Sequence, residues 1–403
     1  MSAHARGLAG VPATQSSISS IDGEQGVLAY RGYSIDVLAA HSHYEETALL
    51  LLEGELPSSQ ALSAFDAGLR AQRVLKPEVI DLMRGLPLHG HPMHMLQCIV
   101  ASLGMFYPDE ISQPTSARAY ADPDYVRTMS IKIIARMPLL VAYWERLRQP
   151  GMTQWRGGQA AGSDRRGEKL IEPRADLGFA ANFLYMFTGQ EPEPFMARLM
   201  DACLILHAEH TINASTFAAM VTGSTLANPY SVISAAIGAL SGPLHGGANQ
   251  RVLEMLDDIG SPAKAKGWLD KKLAAKEIIW GMGHREYKVK DPRAVVLHEL
   301  IEKLIQHRGG KTTRYYDIAR TLEEAAKENL AAKGVYPNVD FYSGILYHEL
   351  GIPADQFTAL FAVARTAGWL AHWNEQIADN RIFRPTQVYT GEPLREYVPL
   401  KDR

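Results

Sequence analysis

The chain has 403 residues, 46% hydrophobic and 21% charged, which is apolar surface enough for one large core or two to four compact units and excludes a disordered chain. Lys and Arg number 41 against 44 Asp and Glu, and a net charge of −3 supplies no overall field for nucleic acid or an anionic membrane, so any bound anion needs a local cluster. The two cysteines, Cys98 and Cys203, stand apart in apolar helical surroundings, which argues against a disulfide framework or zinc knuckle and fits a reducing, cytoplasmic setting.

In chain order, residues 1–20 are rich in Ser, Ala and Gly and lack the apolar core of a signal peptide. From Ser16 to Leu38, apolar residues alternate around Asp22-Gly23, a turn signal, and predict a short β-hairpin. The period then becomes 3.6, predicting helices over Glu45–Glu53, Ser58–Ala71, Pro77–Met83, Met93–Gly104, Asp122–Arg148, Asp176–Phe187 and Pro194–Thr222. It continues over Pro229–Leu240, Ala248–Asp258, Leu269–Ile279, Pro292–His307, Thr312–Leu330, Asp340–Glu349 and Ala354–Asn380. The expected fold class is all-α with a short N-terminal hairpin, and no self-similarity suggests a solenoid. Gln149 to Lys169, Gly-rich, basic and without periodicity, reads as an exposed loop: a tolerated insertion or a contact surface for assembly.

From Thr211 to Gln250 forty residues pass without Asp, Glu, Lys or Arg. At average charge content that has odds on the order of one in ten thousand, so something excludes charge. Asn213, Thr216, Thr222, Ser224, Asn228, Pro229 and Gly242 interrupt any run long enough for a lipid span, which leaves buried helices with small residues, packed closely in the interior.

Five constellations carry possible chemistry. In His207-Ala208-Glu209-His210 the histidines are three apart, predicted on one helix face, as a hydrogen-bonded core pair, a zinc half-site or part of an active site. Glycines around His245 let backbone approach a ligand, and the helix expected from Ala248 aims its positive end at that loop. A neutral imidazole donor is the result; an incidental His in a Gly-rich turn is the alternative. After Gly281-Met282-Gly283-His284 comes Asp291-Pro292-Arg293: Asp291 caps a helix, and Arg293 on its first turn either docks an anion or is solvated. Asp340, between apolar neighbours at a helix start, reads as a general base or a plain N-cap. Arg365 is the one charged residue from Ala359 to Trp373 and needs an anionic partner, Glu375, Asp340 or a substrate.

The segments SSISSIDGEQGVLAYRGYSI, HGHPMHML, HAEHTINAST, SGPLHGGAN, GMGHREYKVKDPRA, PNVDFYSG and ARTAGWLAHWNEQIADNRIFRP together resemble the citrate synthase family, in its order and spacing, from Ser16 to about Pro385. Two features depart from it: Thr211 stands where many relatives are acidic, and the 150–169 stretch is longer than usual. The resemblance implies a helical homodimer with a discontinuous large domain (1–222 and 345–403) and a small domain (223–344) that close over the substrates. It implies condensation of acetyl-CoA with oxaloacetate and hydrolysis of the thioester to citrate and CoA, with no metal or further cofactor. Asp340 then matches the base acting on the acetyl methyl group, His245 the donor to the thioester carbonyl, and His284 the group protonating the oxaloacetate carbonyl. His210, Arg293 and Arg365 match oxaloacetate ligands, Arg384 matches an arginine reaching in from the partner subunit, and Lys288 a contact to CoA phosphate.

Three alternatives stand beside this reading. A 2-methylcitrate synthase would use propionyl-CoA, although Phe341-Tyr342-Ser343-Gly344 resembles the acetyl-CoA enzymes. His207, His210, His245 and Asp340 could instead form a zinc hydrolase site, which gives the arginines no task. The third is a structural assembly subunit retaining an enzyme fold.

Overall fold

The computed structural model describes residues 5–8, 10–111, 120, 122–148 and 170–403, so the Gln149 to Lys169 loop reading lies outside the described residues. Among these, seventeen α-helices accompany one three-stranded antiparallel sheet. Strands β1 (Ser19–Asp22) and β2 (Val27–Tyr30) pair as the expected hairpin, with Ser19 opposite Tyr30. Asp22 closes its turn by accepting the N–H groups of Glu24 and Gln25. The hairpin reading extends too far: after the two-residue β3 (Tyr33–Ser34) the chain forms the helix Ile35–His41, whose buried Ile35, Leu38 and Ala39 follow helical spacing.

The helices Pro229–Leu240 and Pro292–His307 have the predicted bounds; each starts with Pro at its first position behind a side-chain cap, Asn228 or Asp291. Two predictions need correction. The helix expected over Leu269–Ile279 is Pro262–Ala274, because Ser261-Pro262 starts it and Lys276, at φ 55, ends it. The helix expected over Pro194–Thr222 is two helices, Pro194–His207 and Ala214–Ser224, separated by a turn in which Thr211 has φ 50.

One group of helices surrounds Phe357–Ala378, in which every residue from Phe357 to Trp373 is buried. It packs against Tyr44–Glu53, Pro123–Arg148, Pro194–His207, Ala214–Ser224 and Pro229–Leu240. A second group joins Ala248–Ile259, Pro262–Ala274, Arg314–Leu330, Pro292–His307 and Val339–Glu349. The charge-free stretch supplies two helices of the first group. Their approach to neighbours leaves no room for long side chains: a Cβ on Gly238 would lie 2.4 Å from Gln97 Nε2. Among the described residues, no helix is long and apolar enough to cross a membrane.

Candidate active site

A cleft of about 500 Å³ opens where the two groups of helices meet. Six of the eight residues to which the resemblance gives a site role line it: His210, His245, His284, Arg293, Asp340 and Arg365. Lys288 and Arg384 do not. Lys288 is exposed, and its backbone N–H donates to Gly23 O (2.9 Å). Arg384 lies on an exposed stretch beyond the last long helix, its Nη1 donating to Pro385 O (2.9 Å).

His210 comes from the turn between two helices, so it shares no helix face with His207. The hairpin supplies the hydrogen bonds that a continued helix would have made. Tyr30 Oη accepts the Glu209 N–H (3.1 Å) and donates to Glu209 O (2.8 Å), and Ser19 Oγ accepts the Thr211 N–H (3.2 Å). His207 ends the preceding helix, fully buried and outside the cleft lining, with Nδ1 2.8 Å from Cys203 O, and burial lowers its pKa to about 3. Its backbone carbonyl accepts a hydrogen bond from Arg365 Nε (2.7 Å). Among the described residues, no group of three or more His, Cys, Asp or Glu side chains is arranged to hold a metal ion, and the zinc reading loses the His207–His210 pair on which it was built.

His245 sits before the helix Ala248–Ile259, in a loop fastened by Thr358 Oγ1 donating to Gly246 O (3.1 Å). Its Nε2 lies 2.8 Å from the Ser215 hydroxyl and faces the Ser215 backbone N–H (3.2 Å). That N–H can only donate, so Nε2 is an acceptor and the ring hydrogen is on Nδ1. His284 has the opposite arrangement: its Nδ1 accepts the Glu286 N–H (3.0 Å), which puts the hydrogen on Nε2. Burial first lowers both pKa values to about 4, assisted by Arg365 at His245 and Arg293 at His284, so both rings are neutral donors near pH 7. The expected depression at His245 is present, with burial as its main cause.

Asp340 is not the helix cap. Asn338 Oδ1 accepts the Asp340 N–H (3.0 Å), leaving the carboxyl free. Among the described residues Asp340 Oδ1 has no hydrogen-bond partner and is buried, and burial raises the pKa to about 7. The strand-like contact between Met282 and Pro337, with Asn338 Nδ2 on Gly283 O (2.8 Å), stitches the His284 loop to the Asp340 helix.

Arg293 is buried and already forked onto its own cap, with Nε on Asp291 Oδ1 (3.0 Å) and Nη2 on Oδ2 (2.7 Å). Asp291 therefore offsets much of its charge and holds the guanidinium in one orientation. Arg365 is 1% exposed, lies 4.8 Å from the Phe361 ring centre and forms no ion pair among the described residues. Glu375, one expected partner, instead accepts from the Ser17 N–H and hydroxyl. Burial lowers the Arg365 pKa to about 10, offset in part by Glu209, so the group remains cationic.

Sequence reasoning did not single out Ser215, Tyr287 or the apolar rim formed by Leu244 and Ile278, which are 94% and 63% exposed at the cleft mouth. For Tyr287, its place three residues after His284 is the available signal. A second cavity, of about 450 Å³, lies beside His43, Glu45 and Asp201, where the Glu45 and Asp201 carboxylates accept the Phe179 and Tyr44 N–H groups at the starts of two helices.

The family of the citrate synthase C-terminal domain matches residues 7–386. The citrate synthase of Acidithiobacillus ferridurans is 55% identical over 99% of this chain and 98% of its own. The 2-methylcitrate synthase 1 of Corynebacterium glutamicum is 38% identical over 99% and 98%. The solved ternary complex of Thermoplasma acidophilum citrate synthase with carboxymethyl coenzyme A and oxaloacetate is 32% identical, with a TM-score of 0.85 over 99% of both chains. The fold is that of an acyltransferase family, and the chain belongs to the citrate synthase family.

Proposed function

We propose that this cleft joins the methyl carbon of acetyl-CoA to the keto carbon of oxaloacetate and then hydrolyses the citryl thioester to citrate and CoA. The observation that carries the reading is the grouping of one carboxyl, Asp340, and one buried cation, Arg365, both without a side-chain hydrogen-bond or ion-pair partner among the described residues, with neutral histidines that each offer an N–H. A carboxylate alone is too weak a base for a thioester methyl group, so the proton leaves only as the carbonyl oxygen gains a hydrogen bond. His245 Nδ1–H supplies it while Asp340 takes the proton. The new C–C bond forms as the His284 Nε2 proton passes to the keto oxygen, and the proton that Asp340 took restores the ring's N–H; water then cleaves the thioester, its hydroxyl going to the carbonyl carbon and its hydrogen to the CoA sulfur.

His210, Arg293 and Arg365 orient oxaloacetate, and Arg384 of the partner subunit completes the carboxylate site in a homodimer. Lys288 contacts a CoA phosphate, and Leu244 and Ile278 give the acyl-CoA an apolar edge. The chemistry requires no metal or further cofactor, since hydrogen-bond donors and cations stabilise all the developing charge. A small domain, expected over 223–344, closes on a large one, 1–222 with 345–403, except that Pro229–Leu240 packs with the helices around Phe357–Ala378 and so belongs to the large side. A cytoplasmic setting suits two free cysteines. The 55% identity to a citrate synthase, against 38% to a 2-methylcitrate synthase, favours acetyl-CoA over propionyl-CoA. The test is CoA release with oxaloacetate across a panel of acyl-CoAs: kcat/KM should be highest for acetyl-CoA, and a maximum at propionyl-CoA would reverse the assignment.

A further inference from the structure

Two cleft histidines have a ring nitrogen pinned by a backbone N–H: Nε2 of His245 by Ser215 and Nδ1 of His284 by Glu286. His210 is pinned differently: its Nε2 lies 3.1 Å from the Tyr287 hydroxyl. Both groups are buried, Tyr287 at 1% exposure and His210 at 7%. The phenol oxygen has no other hydrogen-bond partner among the described residues, so its proton must be directed at Nε2. The reverse arrangement would leave a buried O–H without an acceptor. Burial and the adjacent Arg293 and His284 hold the His210 ring neutral, so with Nε2 accepting, its one hydrogen is on Nδ1.

We infer that Tyr287 is a positioning residue that locks His210 as the Nδ1–H tautomer, so that this ring presents oxaloacetate with a donor; the inference rests on the reaction proposed above. Tyr287 is itself held on two sides. Its ring lies 4.7 Å from that of His284, and the Gly23 turn presses against the segment, where a Cβ on Gly23 would fall 2.0 Å from Glu286 O. Moving the His210 hydrogen to Nε2 would place a lone pair against a substrate oxygen. Losing a hydrogen bond to a charged partner corresponds to about 10- to 100-fold in binding.

Tyr287→Phe keeps the ring and the backbone N–H and removes only the hydroxyl. The oxaloacetate KM should rise about 10- to 100-fold with kcat within about threefold and the acetyl-CoA KM near wild type. In a His210→Gln background the same change should alter the oxaloacetate KM by less than about twofold, because the hydroxyl acts through that ring. NMR of histidine-labelled, substrate-free enzyme should find the His210 hydrogen on Nδ1 in wild type and redistributed in Tyr287→Phe. A wild-type ring protonated on Nε2, an unchanged KM in Tyr287→Phe, or an equal cost in the His210→Gln background would each overturn the inference. The spectra need no substrate: a locked tautomer in an enzyme that does not turn over oxaloacetate would refute the proposed reaction and leave the lock standing.

Discussion

Asp340 meets the cleft with a carboxyl that burial moves from an ordinary 3.8 to about 7. The folded protein therefore binds this proton more tightly than the unfolded chain does, and stability falls as pH rises from about 4 to about 7, then levels. Asp340→Asn lacks that linkage and should gain on wild type across this window. The gain is at most about 4 kcal/mol, less where cleft water reaches the carboxyl. Denaturant unfolding at about pH 5 and about pH 8 should show the larger advantage at the higher pH; equal differences would contradict it. The same ionisation sets an acid limb in kcat/KM for acetyl-CoA, expected to fall about tenfold per pH unit below about 7. His245 and His284 titrate near 4 and add nothing there, so a flat profile down to about pH 5 would count against Asp340 as the base. The cleft residues were legible because His, Asp and Arg stand out among glycines and small residues. Which ring nitrogen faces the cleft was not, because Ser215 and Tyr287 lie 30 and 77 positions from the histidines they contact.

At the scale of elements, Gly368 allows the buried Phe357–Ala378 helix to approach the turn that presents His210. Its N–H donates to Ala208 O (3.2 Å), and a Cβ there would fall 2.3 Å from that same carbonyl oxygen. Gly368→Ala should destabilise by about 1–3 kcal/mol despite the better helix propensity of Ala, and should raise the oxaloacetate KM. Gly267→Ala is the control: a Cβ at Gly267, also inside a helix, meets nothing within 4 Å, and that variant should gain up to about 1 kcal/mol. Thermal unfolding of the pair decides, and equal shifts would refute the close-contact explanation. Pro behind a capping side chain marked Pro229–Leu240 and Pro292–His307 in the sequence. The break after His207 carried no such mark, because a non-glycine residue, Thr211, takes the left-handed conformation and its support comes from Ser19 and Tyr30, far away in the chain.

At the scale of the whole molecule, Arg384 does not line its own chain's cleft, consistent with the proposed service to a neighbouring copy. Arg384→Ala and Asp340→Ala homodimers should each be nearly inactive. In a mixed dimer with Arg384 acting across the interface, one site carries both lesions and the other neither, so about half of wild-type activity should return. No recovery in a verified heterodimer would reject the shared site and leave the chemistry intact. Helical periodicity says nothing about which helices pack together, and the division expected at 223 puts Pro229–Leu240 with the small domain, whereas it packs with Ala214–Ser224 and Phe357–Ala378. The most direct test of the whole is oxaloacetate-dependent release of CoA from acetyl-CoA, measured for wild type beside Asp340→Asn. The expected result is release by wild type and a loss of at least ~10²-fold in the variant with oxaloacetate binding retained; no release by wild type, or near-normal release by the variant, would contradict it.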